Sequence, residues 1–171
     1  MNLKNNCKDM FVQIDESRFF LDSIKKTDRV LEYGSGESTK EIASRCKELV
    51  SVEHQKNWYN MVVTGIPENV ELLLKEPNLS YIEGTYNCGT YDEFEDYITC
   101  AQSHGKFDVI FIDGRARVEC AKFCKNVSHE NTLVFIHDFS SRLHDHGYTE
   151  VFKYLDLVES VSDMSKFKVK I

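Results

Sequence analysis

Two glycines and two glutamates in the first third of the chain have the types and spacing of a nucleoside-cofactor site. Gly34 and Gly36 follow a short apolar run, and Glu32 stands directly before them. A glycine turn between a buried strand and a helix lets a ligand approach the backbone, and the helix end presents unpaired N–H groups to an anionic group. Glu53 follows Glu32 at close to the offset of about 20 residues at which dinucleotide folds place the acid that binds the ribose.

The chemistry of this turn favours a cationic ligand over a pyrophosphate. Thr39 stands where the dinucleotide fingerprint has its third glycine, and Glu32 and Glu37 would repel phosphate groups. S-adenosylmethionine carries a sulfonium and an ammonium group, which acidic residues suit better. We therefore predict S-adenosylmethionine as the cofactor. A Rossmann-type oxidoreductase that uses NAD remains the alternative, and a catalytically inactive cofactor-binding module is a third reading.

A second group of candidate residues follows two later apolar runs. Asp113 ends the run at 107–113, and His137 and Asp138 follow the run at 132–136. The carboxyl ends of adjacent parallel strands meet at one edge of a sheet, so we expect these side chains to line the cleft where the methyl group leaves. Either His137 or Asp138 could act as a general base on an acceptor hydroxyl. Asp113 and Asp138 could instead bind Mg²⁺ or another divalent cation, and His137 could be structural.

Three arginines and two further histidines flank the same cleft: Arg115, Arg117, Arg142, His144 and His146. The arginines could bind a carboxylate or phosphate on the acceptor, or they could balance Asp113 and Asp138. The two histidines suggest a transition-metal site together with His137, although a His-x-His loop is more often solvated or substrate-facing.

The hydrophobic periodicity predicts an α/β fold. We expect strands at residues 29–33, 48–53, 70–75, 107–113, 132–136, 156–162 and 165–171. Helices are expected at residues 17–25, 38–46, 55–63, 91–103, 118–127 and 148–155, with loops at 77–90 and 139–147. Ser38 and Glu41 have the spacing of a capping box at the start of the second helix. The alternation indicates a three-layer sandwich with a Rossmann-like, mainly parallel seven-stranded sheet and a C-terminal antiparallel hairpin.

Length, composition and charge limit the classes of function. The 171 residues suit one domain, predicted at 17–171 after a lead-in at 1–16, and the chain could be one module of a larger polypeptide. The net charge of −7 disfavours a nucleic-acid partner, and no apolar run approaches a membrane span. Six scattered cysteines indicate reduced thiols and a cytoplasmic setting. Cys120 and Cys124 are four residues apart, which favours a helix-packing face over a metal or redox pair.

Several of these segments resemble motifs of the class I S-adenosylmethionine-dependent methyltransferases. Glu32-Tyr-Gly34-Ser-Gly36 resembles their motif I, Ser51-Val-Glu53-His their acidic motif after strand two, and residues 107–114 their strand-four motif. Residues 113–121 and 136–142 are similar to a subgroup of small sugar or glucuronoxylan O-methyltransferases. The general resemblance spans about residues 17–171.

The resemblance implies roles for individual residues. Gly34 and Gly36 would face the methionine part of the cofactor, Glu32 its ammonium group, and Glu53 its ribose. Asp113 would lie beside the cofactor, and residues 75–81 would lie near the adenine, with His54 or Trp58 lining the adenosine pocket. The expected activity is transfer of a methyl group to a hydroxyl of a sugar, a glycan or another small molecule.

Overall fold

The computed structural model of the protein describes residues 14–80, 88–144 and 147–170. Within them seven strands form one sheet in the order β3-β2-β1-β4-β5-β7-β6. The strands are β1 (Arg29–Tyr33), β2 (Glu48–Glu53), β3 (Val70–Leu74), β4 (Phe107–Ile112), β5 (Ser128–Ile136), β6 (Leu155–Val161) and β7 (Met164–Val169). The first five are parallel, and β7 runs antiparallel between β5 and β6. This is the α/β, Rossmann-like sheet with a terminal hairpin that the sequence predicts.

Helices cover both faces of the sheet. They are α1 (Ile14–Leu21), α2 (Glu37–Ala43), α3 (Lys56–Val62), α4 (Tyr91–Thr99), α5 (Arg117–Phe123) and α6 (Phe139–Arg142). Short 3₁₀ turns occupy Cys100–His104, Cys124–Asn126 and Tyr148–Lys153. None of the described helices has the length and apolar character needed to cross a bilayer.

The central strand β4 shows why three layers form. Val109 and Phe111 belong to one buried cluster, which includes Phe20 of α1 and Ile42 of α2. Ile110 and Ile112 belong to a second cluster on the opposite face, with side chains of α4 and α5. Alternate side chains of a strand point to opposite faces, so a continuous apolar run is buried only when both faces are covered.

Three local predictions are wrong. The helix α2 begins at Glu37 with Gly36 as its N-cap, and Thr39 rather than Glu41 closes the capping interaction. The first predicted helix lies earlier in the chain, at Ile14–Leu21. The predicted loop at 139–147 begins with the short helix α6, because Phe139 is buried against aromatic rings; residues 145 and 146 lie outside the described residues.

Candidate functional site

The glycine turns after β1 and β4 touch each other. A Cβ added to Gly34 would lie 2.6 Å from the backbone of Gly114, and Gly34 has a φ of +98°. A Cβ added to Gly114 would lie 2.1 Å from the hydroxyl oxygen of Tyr97. Packing within the protein thus requires both glycines. Gly36 differs, since its φ is extended and an added Cβ would make only an ordinary contact with the indole of Trp58, at 3.8 Å. Packing within the protein therefore does not require a glycine at position 36.

The backbone amides of the first turn are bonded within the protein. Gly34 N donates to the carbonyl of Val52 at 2.9 Å, Ser35 N to the Glu53 carboxylate at 3.2 Å, and Gly36 N to the Thr39 hydroxyl at 2.9 Å. These three amides are bonded within the fold and are therefore not available to a pyrophosphate.

Glu32 lies completely buried between β1, β2 and α2. Its carboxylate accepts hydrogen bonds from the hydroxyls of Ser38 at 2.5 Å, Thr39 at 2.7 Å and Ser51 at 2.5 Å. Burial raises the pKa of Glu32 to about 7, although the three hydroxyls oppose this shift. Both carboxylate oxygens are occupied, so Glu32 would act on a ligand mainly through its charge.

Glu53 is the second buried carboxylate at this edge of the sheet. It accepts hydrogen bonds from the backbone amides of His54 at 2.9 Å and Gln55 at 2.7 Å, and from the hydroxyl of Ser35 at 3.0 Å. Burial alone would raise the pKa of Glu53, but the hydrogen bonds from His54, Gln55 and Ser35 outweigh it and lower the pKa. Glu53 is therefore held ionised, as a ribose-binding carboxylate must be.

Aromatic side chains border the turn. The Trp58 indole donates to the carbonyl of Ser35 at 2.7 Å and remains 41% exposed, so its ring flanks the space above the turn. His54 packs against the rings of Phe94 and Tyr97 and is less open to a ligand. The Tyr97 hydroxyl is fully buried beside Gly114 and has no hydrogen-bond partner among the described residues.

The predicted adenine region is only partly described. Residues 76–80, directly after β3, line an open groove. Tyr81, the last residue of the predicted segment, lies outside the described residues.

At the ends of β4 and β5 the structure brings the three predicted catalytic residues together. Ligand-type atoms of Asp113, His137 and Asp138 all lie within 4.8 Å of one another. His137 Nδ1 is 2.8 Å from a carboxylate oxygen of Asp113, which requires that this nitrogen carry the proton. Burial would lower the pKa of His137, but the hydrogen bond and charge of Asp113 and the charge of Asp138 raise it.

Two of the three arginines are engaged with these carboxylates. Arg117 is buried and pairs with Asp113 at 3.2 Å and Asp138 at 3.0 Å, while Arg142 pairs with Asp138 at 2.8 Å. Burial opposes ionisation of Asp138, but the charges of Arg117, His137 and Arg142 lower its pKa. Arg115 is half-buried and forms no ion pair within the described part of the chain.

This donor set does not fit a divalent metal ion well. Mg²⁺ prefers about six oxygen ligands, whereas this cluster offers two carboxylates and one imidazole. Both carboxylates already pair with guanidinium groups, which would repel a cation. Among the described residues His144 does not join the cluster, and His146 is not described. Cys120 and Cys124 are packed in the core, consistent with a helix-packing face.

Sequence reasoning missed two buried polar residues of the site. Glu16, placed in the predicted lead-in, is 3% exposed on α1; it accepts a hydrogen bond from Asp163 N at 2.6 Å, and its other oxygen lies 3.8 Å from His137 Nε2. In the sequence, Glu16 stands four residues before the apolar Phe20 and so shares its helix face, and this spacing could have indicated that Glu16 is buried. Ser51 pairs in register with Glu32, and a polar residue in a buried strand is the corresponding signal there.

Comparisons with known proteins find similarity at the level of structure. No family model and no curated protein sequence matches the chain. A methyltransferase-like protein from Silicibacter pomeroyi superposes with a TM-score of 0.72 at 20% identity, covering 94% of this chain and 88% of that one. The N-methyltransferase NodS from Bradyrhizobium japonicum, in complex with S-adenosyl-L-homocysteine, gives 0.58 at 13% identity over 91% and 84% of the two chains.

A third similar structure is the tRNA (m1A58) methyltransferase TrmI from Aquifex aeolicus. Its TM-score is 0.59 at 14% identity, with 92% of this chain and 69% of that chain covered. At such identities the likeness concerns the fold alone. The chain shares its Rossmann-like fold with these methyltransferases.

Proposed function

We propose that the protein is an S-adenosylmethionine-dependent O-methyltransferase whose acceptor is a hydroxyl of a sugar, a glycan or another small molecule. The observation that carries the cofactor assignment is the charge of the first turn. Glu32 is buried directly before it without an ion pair among the described residues, and the turn amides are bonded internally. A pyrophosphate would lie beside a buried carboxyl that offers it no cation, whereas a sulfonium cation is stabilised by the ionised form of that carboxyl.

Different residues around the turn bind different parts of the cofactor in this proposal. Gly34 and Gly36 have no side chains, so the methionine part of the cofactor can approach the backbone of the turn. Glu53 accepts hydrogen bonds from the ribose hydroxyls, which partly replace its bond from Ser35. Trp58 flanks the nucleoside. The bound cofactor supplies an electrophilic methyl group, and all other requirements of the transfer fall to the protein.

His137 is the general base in this proposal, and Asp113 positions it. The hydrogen bond from Nδ1 to Asp113 leaves Nε2 to accept a proton, since Glu16 at 3.8 Å is beyond hydrogen-bond distance. Nε2 would take the proton of the acceptor hydroxyl as that oxygen receives the methyl group which the bound cofactor would supply. A positioned base contributes roughly 10²–10⁴-fold to such a step.

Asp138 pairs with Arg117 and Arg142 in this proposal and does not accept the proton. Its pKa is lowered by Arg117, His137 and Arg142, so it is a weak base. Its backbone at φ +53° turns the chain from β5 into α6 and presents the carboxylate to both guanidinium groups. A structural role for Asp138 therefore accompanies the catalytic role of His137.

The choice of a hydroxyl acceptor rests on the resemblance of residues 113–121 and 136–142 to the sugar-type subgroup and on the presence of a base. The net charge of −7 supports a small acceptor over a nucleic acid. All five described cysteines are free thiols, which supports a reducing compartment such as the cytoplasm.

A panel of acceptors incubated with methyl-labelled S-adenosylmethionine tests the proposal. We expect label to enter a sugar, glycan or small-molecule hydroxyl, and His137→Gln to reduce the rate at least about 100-fold, the lower end expected for a general base. Labelling of amines or nucleic acid with none of hydroxyls would refute O-methylation. Cofactor binding without transfer to any acceptor would favour the inactive binding module.

A further inference from the structure

The buried carboxylate beneath the first turn carries a consequence for how the site distinguishes its ligands. Glu32 has no exposed surface, and its hydrogen-bond donors are three neutral hydroxyls. Among the described residues no lysine, arginine or histidine forms an ion pair with it. Burial without a cation favours the protonated form of an acid over its ionised form, compared with the same acid in water.

We propose that Glu32 is the charge-specificity residue of the cofactor site: it gives up its proton when a sulfonium cation binds above the turn and regains it when the cation is lost. This inference rests on the proposed function. S-adenosylmethionine carries one positive charge more than its product S-adenosylhomocysteine, so the ionised form of Glu32 favours the donor. Without the sulfonium charge Glu32 would take a proton from solvent, and its electrostatic contribution to holding the ligand would be lost.

The surroundings of Glu32 make it responsive to such a charge. Asp113, at the end of β4, adds a negative field that favours the protonated form. The thiol of Cys46 also lies within electrostatic reach, but burial raises its pKa to about 11, so it stays neutral. The hydroxyls of Ser38, Thr39 and Ser51 face Glu32 from α2 and β2 and do not titrate. The described groups around Glu32 thus include hydroxyls, a neutral thiol and a carboxylate but no cation.

The size of the effect follows from linkage. A carboxyl with a pKa of about 7 is half-protonated at pH 7, so a ligand that holds it ionised releases about half a proton per molecule bound. The affinity for that ligand rises up to about fivefold between pH 6 and pH 7. The ammonium group of the ligand itself stays charged over this range, since α-amino groups titrate near pH 8.

Calorimetry of the intact chain in two buffers of different ionisation enthalpy measures the protons released on binding. We expect about half a proton at pH 7 with S-adenosylmethionine and clearly less with S-adenosylhomocysteine. Glu32→Gln, a neutral side chain of the same shape, should remove this difference. The pKa of His137 is also raised, by the hydrogen bond and charge of Asp113, and any contribution of His137 would persist in Glu32→Gln.

Ser51→Ala is a second variant that keeps the carboxyl. It deletes one of the hydroxyls that stabilise the ionised form, so it should increase the proton release with S-adenosylmethionine at pH 7 towards one proton. Equal proton release with both ligands, or an unchanged difference in Glu32→Gln, would overturn the inference while leaving the cofactor assignment intact. Failure of both ligands to bind would refute the proposed function, and the inference with it.

Discussion

Replacing Gly34 with alanine tests whether contact between the two glycine turns builds the site. Gly34 has a φ of +98°, and its new Cβ would lie 2.6 Å from the backbone of Gly114, which cannot rotate away as a side chain would. The left-handed conformation costs an alanine about 1–2 kcal/mol, and overpacking adds about 1–3 kcal/mol. We expect Gly34→Ala to lower the free energy of unfolding by about 2–5 kcal/mol.

Gly65→Ala is the matched control. Gly65 also has a positive φ, of +74°, but nothing lies within 4 Å of an added Cβ. Its loss should be limited to the conformational cost of about 1–2 kcal/mol. Urea unfolding of both variants with equal m-values measures the difference. Equal losses would show that the close approach of the turns does not matter, and unchanged binding of S-adenosylhomocysteine by a folded Gly34→Ala protein would show that the cofactor does not use this turn.

Other substitutions and conditions test individual roles. Glu53→Ala should weaken cofactor binding by about 1–3 kcal/mol in calorimetry, because charged hydrogen-bond partners of the ribose are lost; unchanged affinity would place the ribose elsewhere. The methylation rate should rise with pH through the raised pKa of His137, since only the neutral imidazole can accept a proton, and a flat profile would exclude it as the base. Activity should survive chelation of divalent ions, and its complete loss, restored by Mg²⁺, would revive the metal route. Arg117→Met should destabilise the fold by about 1.5–3 kcal/mol, because Asp113 and Asp138 lose their hydrogen bonds to a buried cation but keep His137 and Arg142 as partners. A loss below about 1 kcal/mol in thermal unfolding would contradict this network.

The layers of the fold were predictable because hydrophobic periodicity reports burial directly. The run at 107–112 is apolar at every position except Asp108, so it had to lie inside a sheet covered on both faces. Parallel strands align their carboxyl ends, so one edge of that sheet holds the acids at 32, 53 and 113 together with Gly34 and Gly36. The meeting of Asp113, His137 and Asp138 follows from the same rule.

The direction of short polar side chains was not predictable in the same way. Ser38 and Thr39 could cap α2 or turn inward to Glu32, and both arrangements are local and similar in energy. In the structure Ser38 bonds inward to Glu32, whereas the Thr39 hydroxyl does both: it accepts from Gly36 N and donates to Glu32. Glu16 shows the other limit, because its hydrogen-bond partner Asp163 lies at the opposite end of the chain and is brought near only by the packing of α1.

Calorimetric titration of the unmodified chain with S-adenosylhomocysteine, and separately with NAD, tests the central claim most directly. The ionised Glu53 suits the ribose, and the buried Glu32 suits the ammonium group of S-adenosylhomocysteine better than a pyrophosphate, so we predict binding of S-adenosylhomocysteine with one site per chain and no heat of binding for NAD. Binding of NAD with no response to S-adenosylhomocysteine would contradict the account and identify the alternative oxidoreductase.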